Sequence, residues 1–163
     1  MSVVSVQQQM QELSLLGMSQ VFETDLTMAN KQDWSHEEFL SKLLQAEKSY
    51  RDDRFIEKKI KCAQFKRNAF LEEFDMTVKR GVTKAILQEL MSLRWLENSK
   101  PVVFVGQTGM GKSYLAEALG RYVCSHRKTV FFKESTELFL MINEGRRLNR
   151  YLTTRKRLAS YDV

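Results

Sequence analysis

Gly106-Gln107-Thr108-Gly109-Met110-Gly111-Lys112-Ser113 spells G-x-x-x-x-G-K-S, a spacing that lets a backbone close around phosphate. Its glycines allow the chain to curl so that successive N–H groups converge on a β-phosphate. A helix beginning at Lys112 would add the positive end of its dipole. The Lys112 ammonium then reaches β- and γ-phosphate oxygens, and the Ser113 hydroxyl can ligate the Mg²⁺ that bridges them. Gln107, Thr108 and Met110 contribute mainly main-chain amides, and Tyr114, next along, completes the candidate binding residues. A glycine-rich turn can match such a pattern by chance, so the flanking elements decide: a strand must precede it and a helix must follow.

Val102-Val103-Phe104-Val105 is a short continuous apolar run rich in β-branched residues, which predicts a strand buried on both faces of a parallel sheet. A helix is expected from Gly111 or Lys112 to about Ser125, with Leu115, Ala118, Leu119 and Tyr122 facing that sheet. The polar His126-Arg127-Lys128 would return the chain to a second strand at Thr129-Val130-Phe131-Phe132, completing a right-handed βαβ unit. Ser135 or Thr136 can cap a further helix carrying Leu138, Phe139, Met141 and Ile142, closed by Gly145.

Upstream, the sequence reads as helical. Met10, Leu13, Leu16 and Val21 recur at helical spacing between Gln7 and Phe22. Ser35 and Glu38 form a capping-box pattern, which predicts a long helix from there to about Gln64, with Phe39, Leu43, Tyr50, Ile56 and Ile60 on one face. Periodicity is lost from Asn68 to Arg80, a connector. Gly81 then opens another helix, with Val82, Ile86, Leu87, Leu90 and Leu93 on one face, ending near Leu96 ahead of the only proline, Pro101. Asn30-Lys31-Gln32-Asp33 matches a guanine-reading N-K-x-D pattern, but it precedes the phosphate loop instead of following a later strand. It reads as coincidence, and adenine is the expected base.

The chain of 163 residues suits one full domain with a helical annex. Its 43% hydrophobic and 28% charged content is that of a folded globular protein. Two cysteines, Cys62 and Cys124, and two separated histidines, His36 and His126, exclude a disulfide framework and show no zinc spacing. No apolar run approaches the ~20 residues that span a bilayer, and Met1 to Ser5 carry no signal-peptide features, so a cytoplasmic location without membrane contact is expected. Net charge is +6, and the excess lies in the last two-thirds. Arg146, Arg147, Arg150, Arg155, Lys156 and Arg157 cluster with no acid among them. Two readings stand side by side: salt-sensitive contact with nucleic-acid phosphates, or a solvated helix face with Leu148, Tyr151, Leu152 and Leu158 turned inward.

Leu71-Glu72-Glu73-Phe74-Asp75, Leu93-Arg94-Trp95-Leu96-Glu97, then the apolar run and Gly106 to Ser113 followed by Tyr114-Leu115-Ala116, occur in an order that resembles the IstB/DnaC-like branch of AAA+ ATPases. Its IstB members are transposition helper proteins. The similarity covers nearly the whole chain, including Met10-Gln11-Glu12-Leu13 and the charged helix from Ser35. It implies an α/β P-loop NTPase (AAA+) core with parallel strands, preceded by an all-α N-terminal domain. The division would be residues 1–67 (helical), 68–100 (connector and lead-in helix) and 101–163 (core). It further implies ATP and Mg²⁺ as ligands, self-assembly, sequence-nonspecific contact with the DNA backbone and a transposase partner, or helicase loading in DNA replication for the DnaC relatives. It places the segment containing Arg146 to Arg157 near DNA.

One departure bears on turnover. In the family, a strand beginning like Tyr161-Asp162-Val163 continues into aliphatics and two acidic residues, the Walker B element. Here no acidic pair follows an apolar strand after the phosphate loop, and the family's sensor residues and arginine finger have no positions to carry them. The chain therefore resembles the front part of such a protein, truncated before the end of Walker B. Nucleotide binding is expected to survive and hydrolysis to fall near background, with an apolar strand edge left unpaired. The alternatives are a non-enzymatic remnant acting only as a helical partner-binding module, or a different P-loop enzyme such as a small kinase. The last is disfavoured because the tail offers mainly cations.

Overall fold

The computed structural model describes residues 3–77 and 81–163, with side chains from Val6 onward; the end of the connector, residues 78–80, lies outside the described residues. The chain forms two compact units, Met1–Phe55 and Ile56–Val163.

In the first unit, helices α1 (Val3–Glu12) and α2 (Leu16–Gln32) are followed by α3 (His36–Ala63), which runs on past the unit boundary. The single helix expected across Gln7–Phe22 is two. Ser14 adopts a left-handed φ of 59°, while the amides of Ser14 and Leu15 donate to Gln11 and Met10 oxygens at 2.9 and 2.7 Å. That pair of bonds is a Schellman closure, made here without glycine. Met18, Phe22 and Leu43 form the buried centre, with Met10 and Phe39 packed against it. The Ser35 hydroxyl accepts the Glu38 amide at 3.1 Å, as its capping pattern predicts.

The start of α2 is capped from a distance. Leu15 at its N-cap supplies no side-chain bond, yet the free amides of a helix start need acceptors. Glu47, on α3, accepts from Gly17 N at 2.7 Å and Met18 N at 3.2 Å, and from Arg51 Nε at 2.7 Å. Close approach makes this geometry possible. A Cβ on Gly17 would lie 2.7 Å from the Glu47 Cα and 2.6 Å from the Tyr50 Cβ.

The second unit carries α4 (Lys84–Met91), α5 (Arg94–Glu97), α6 (Lys112–Ser125), α7 (Ser135–Arg147) and α8 (Tyr151–Leu158). The helix expected from Gly81 to Leu96 is thus divided, beginning where the Thr83 side chain accepts the Ile86 amide. Ala69, Leu71 and Phe74 of the connector pack with Leu90 and with Leu115, Ala118 and Leu119 of α6 in one core. A second cluster joins Ala63, Val123, Cys124 and Val130. Gly145 does not close α7. It is buried within the helix, where a Cβ would come 2.7 Å from the Thr154 hydroxyl of α8. The closure lies at Asn149, with φ 54°, beside which Arg150 N donates to Gly145 O at 2.7 Å.

The expected α/β core with parallel strands is not found: the described residues contain helices and no strand or sheet. A strand exists only as a member of a ladder. Among the described residues, no backbone-to-backbone bond joins residues 102–105 to another segment, and Val103 and Val105 stand 74% and 90% exposed. At residues 129–132 the pairing among the described residues is three backbone bonds to Asp162 and Val163, the first from Asp162 N to Thr129 O at 3.0 Å. Val163 N donates to Thr129 O at 3.1 Å, and Phe131 N donates to Val163 O at 2.8 Å.

Candidate nucleotide-binding site

The phosphate-loop residues turn directly into α6. Gly109 and Gly111 hold φ of 85° and 82°, a left-handed conformation that costs glycine little and other residues more. Gly111 is the N-cap of α6, and no side chain caps that end. The first-turn amides of Lys112, Ser113 and Tyr114 therefore have no intrahelical acceptor. A Cβ built on Gly106 or Gly109 meets nothing within 4 Å, so open space lies in front of both. An uncapped helix start beside open space is a seat for an anion.

A cleft of about 250 Å³ lies against this loop. Gly106, Gln107, Met110, Gly111 and Lys112 line it together with residues Val103 to Val105 and with Phe74, Gly81 and Val82. The Lys112 ammonium donates to the Gln107 carbonyl at 2.7 Å, which folds it over the loop.

Thr108 and Gly109 form the exposed tip of the loop, and Ser113 is exposed on the first turn of α6. Ser113 offers one hydroxyl oxygen. Among the described residues no cluster of His, Cys, Asp or Glu could hold a metal by itself. Tyr114 turns to the connector. Its hydroxyl donates to Phe70 O at 3.2 Å and accepts from Phe70 N at 3.3 Å, and its ring lies 6.2 Å from that of Phe74.

Sequence reasoning passed over Phe74, Gly81 and Val82 as cleft residues, and Glu117 altogether. Glu117 is 2% exposed on α6 and accepts the Arg67 amide at 2.7 Å. The signal was an acid set among small and aliphatic residues in Leu115-Ala116-Glu117-Ala118-Leu119. Cys124 is fully buried, and burial pushes its thiol up to about 11, so it stays protonated and inert. Both cysteines are free.

The six clustered cations are all exposed. Arg146 and Arg147 occupy the last turn of α7, and Arg155, Lys156 and Arg157 the last turn of α8, where the helix dipole favours positive charge. Arg150 is the N-cap of α8, and the Arg146 guanidinium sits 5.3 Å over the Tyr151 ring. Leu148 and Leu152 are 58% and 68% exposed, so the inward-turned apolar face expected for this segment is not formed by them.

Among the described residues, no helix is long and apolar enough to cross a membrane. The family model for IstB-like ATP binding proteins matches residues 8–163. Among curated relatives, an insertion-sequence ATP-binding protein of Sinorhizobium fredii is 29% identical over 146 residues, covering 90% of this chain and 60% of that protein. An ATP-binding protein in an insertion sequence of Mycobacterium tuberculosis is 30% identical, covering 77% of this chain and 50% of its own length. The IS21 ATP-binding protein of Pseudomonas aeruginosa is 32% identical, covering 78% and 48% respectively. The chain thus spans roughly half to three-fifths of these relatives' length. With a family match over nearly its full length, and an uncapped glycine loop at the start of α6, the chain belongs to the IstB-like ATP-binding proteins of insertion sequences.

Proposed function

We propose that the chain binds Mg-ATP in the cleft beside Gly106–Ser113, with the triphosphate on the first-turn amides of α6 and the rest of the nucleotide toward Phe74, Gly81 and Val82. The observation that carries this is the start of α6 without a side-chain cap, preceded by a loop with open space at Gly106 and Gly109 and with Lys112 folded over it. Ser113 would hold the magnesium, which neutralises charge between the β- and γ-phosphates when bound. Nucleotide binding is the activity these residues support, because the groups that would meet phosphate lie within Gly106–Ser113.

In the same reading, Arg146, Arg147, Arg150, Arg155, Lys156 and Arg157 contact the DNA backbone without reading sequence. The exposure of all six supports this, since each phosphate neutralised adds salt-sensitive affinity. The names of the relatives place them in insertion sequences, which supports a role beside a transposase, in a self-assembling cytoplasmic helper. Titration of fluorescent ATP against the purified chain, with and without Mg²⁺, tests the core of the proposal. The unsubstituted chain should bind. Lys112→Ala should weaken binding at least about tenfold, the scale of one charge-assisted hydrogen bond. No binding by the unsubstituted chain would refute the proposal.

A further inference from the structure

Residues Phe65 to Phe74, which lead from the end of α3 into the connector, are fastened to a single face of α6. Tyr114 exchanges hydrogen bonds with both backbone groups of Phe70. One turn on, the Glu117 carboxylate accepts the Arg67 amide at 2.7 Å, with the Arg67 Nε 3.9 Å from its other oxygen. A further turn on, a Cβ at Gly120 would stand 2.8 Å from the Phe65 ring, and the Arg121 guanidinium lies 4.8 Å over the Phe70 ring. Residues three or four apart share a helix face. Here that face meets the connector, while the first turn of the same helix offers its amides to the phosphate seat.

Of these contacts, only that of Glu117 sets a buried charge against main chain. Its side chain is 2% exposed, whereas that of Arg67 is 60% exposed and its Nε stands 3.9 Å away, so the amide, at 2.7 Å, is the closer and stronger partner. A carboxylate is worth burying there only if the connector stays docked, since an unpaired buried charge is strongly unfavourable. Seven residues beyond Arg67 the connector delivers Phe74, 6% exposed, to the lining of the same cleft as Gly106–Lys112.

We infer that Glu117 is a positioning residue for nucleotide binding: by holding the Arg67 amide it docks the connector, and so sets the cleft wall that meets the base and ribose but not the phosphates. This rests on the nucleotide reading above. It separates two parts of the ligand. Contacts to phosphate come from Gly106–Ser113 and do not pass through Glu117, whereas contacts to the organic part come from the wall that Glu117 holds.

The test uses the full chain and two ligands, ATP and inorganic tripolyphosphate, each with Mg²⁺, together with the rate of tryptic cleavage after Lys66 and Arg67. Glu117→Ala should speed that cleavage and weaken ATP about tenfold, the scale of a hydrogen bond to a charged group, while tripolyphosphate changes less than about twofold. Glu117→Gln, whose amide oxygen can still accept from Arg67, should restore slow cleavage and most of the ATP affinity. Equal losses of both ligands in Glu117→Ala would mean general destabilisation and overturn the role, as would unchanged cleavage or undiminished ATP binding. If the unsubstituted chain binds neither ligand, the nucleotide reading falls and takes this role with it. If it binds both and Glu117→Ala leaves ATP untouched, only the role of Glu117 falls.

Discussion

Replacing Glu47 by alanine should loosen the helical unit Met1–Phe55 by roughly 1.5–3.5 kcal/mol, the loss of the buried acceptor plus its exposed ion pair. The carboxylate is buried and accepts the two amides that open α2, Gly17 at 2.7 Å and Met18 at 3.2 Å. Removing an ionised acceptor from buried donors costs about 1.5–3 kcal/mol, and an uncapped helix start costs about 1 kcal/mol by itself. These overlap, because they concern the same amides. Arg51, 62% exposed, is released to water when its partner goes, so that pair adds no more than about 0.5 kcal/mol.

The two-unit organisation calls for a local probe, because a single unfolding transition does not describe such a chain. Amide hydrogen exchange at Gly17 and Met18 reads the opening free energy of this region directly. Burial pushes the Glu47 carboxyl up, but the Arg51 guanidinium and the Met18 and Gly17 amides outweigh it, leaving the group below its ordinary value of 4.5. A carboxyl lowered in the folded state stabilises above the ordinary carboxylate range. That contribution disappears as pH falls through the lowered folded value. The difference between the unsubstituted chain and Glu47→Gln should therefore be largest near neutral pH and shrink in acid below 4.5. A loss under about 0.5 kcal/mol for Glu47→Ala, or a difference that does not change with pH, would refute the capping argument.

Gly17→Ala should destabilise the same unit by about 1–3 kcal/mol or more, because its Cβ would meet the Ala46 oxygen and Glu47 Cα of α3 at 2.7 Å, backbone atoms that have no rotamer to change; urea titration monitored through Trp34 checks this. Asp162 accepts from both the amide and the hydroxyl of Thr129, bonds that, with Lys128, hold its carboxyl below the ordinary 3.8. Asp162→Ala should speed exchange at the Phe131 amide about fivefold, the scale of one net hydrogen bond, and the protection of the unsubstituted chain should fade as pH drops below that range. Changing Arg146, Arg147 and Arg150 together to alanine should weaken DNA binding and flatten its salt dependence by about 0.9 for each phosphate no longer neutralised; an unchanged slope in a salt titration removes these residues from the interface.

Much of the helical scaffold was legible because its signals are local. The stripe on α3 and the Ser35–Glu38 pattern need only neighbouring residues to act, and α3 appears as His36–Ala63. Two breaks were hidden because their usual marker is missing. α1 and α7 end with Ser14 and Asn149 in left-handed backbone, where glycine is the common occupant. In each case the residue after it donates back to the helix, as Leu15 N does to Met10 O and Arg150 N to Gly145 O. The cap on α2 was equally unreadable, since Glu47 lies 30 residues from the Gly17 amide it accepts.

By itself the sequence determined the glycine turn that leads into α6. Eight consecutive residues carry their own geometry, because glycine dihedrals and the free amides of a helix start are properties of a short stretch of backbone. It did not determine strands at Val102–Val105 and Thr129–Phe132. Apolar, β-branched composition expresses a preference for extended backbone, but a sheet also requires a second backbone at hydrogen-bonding distance, and here that partner amounts to the three bonds at Asp162 and Val163. Tertiary structure alone decided what faces the loop. Phe74 and Val82 reach the cleft because the connector folds back along α6, held by Tyr114 and Glu117, and contacts made across 44 and 50 residues leave no periodic trace in the chain.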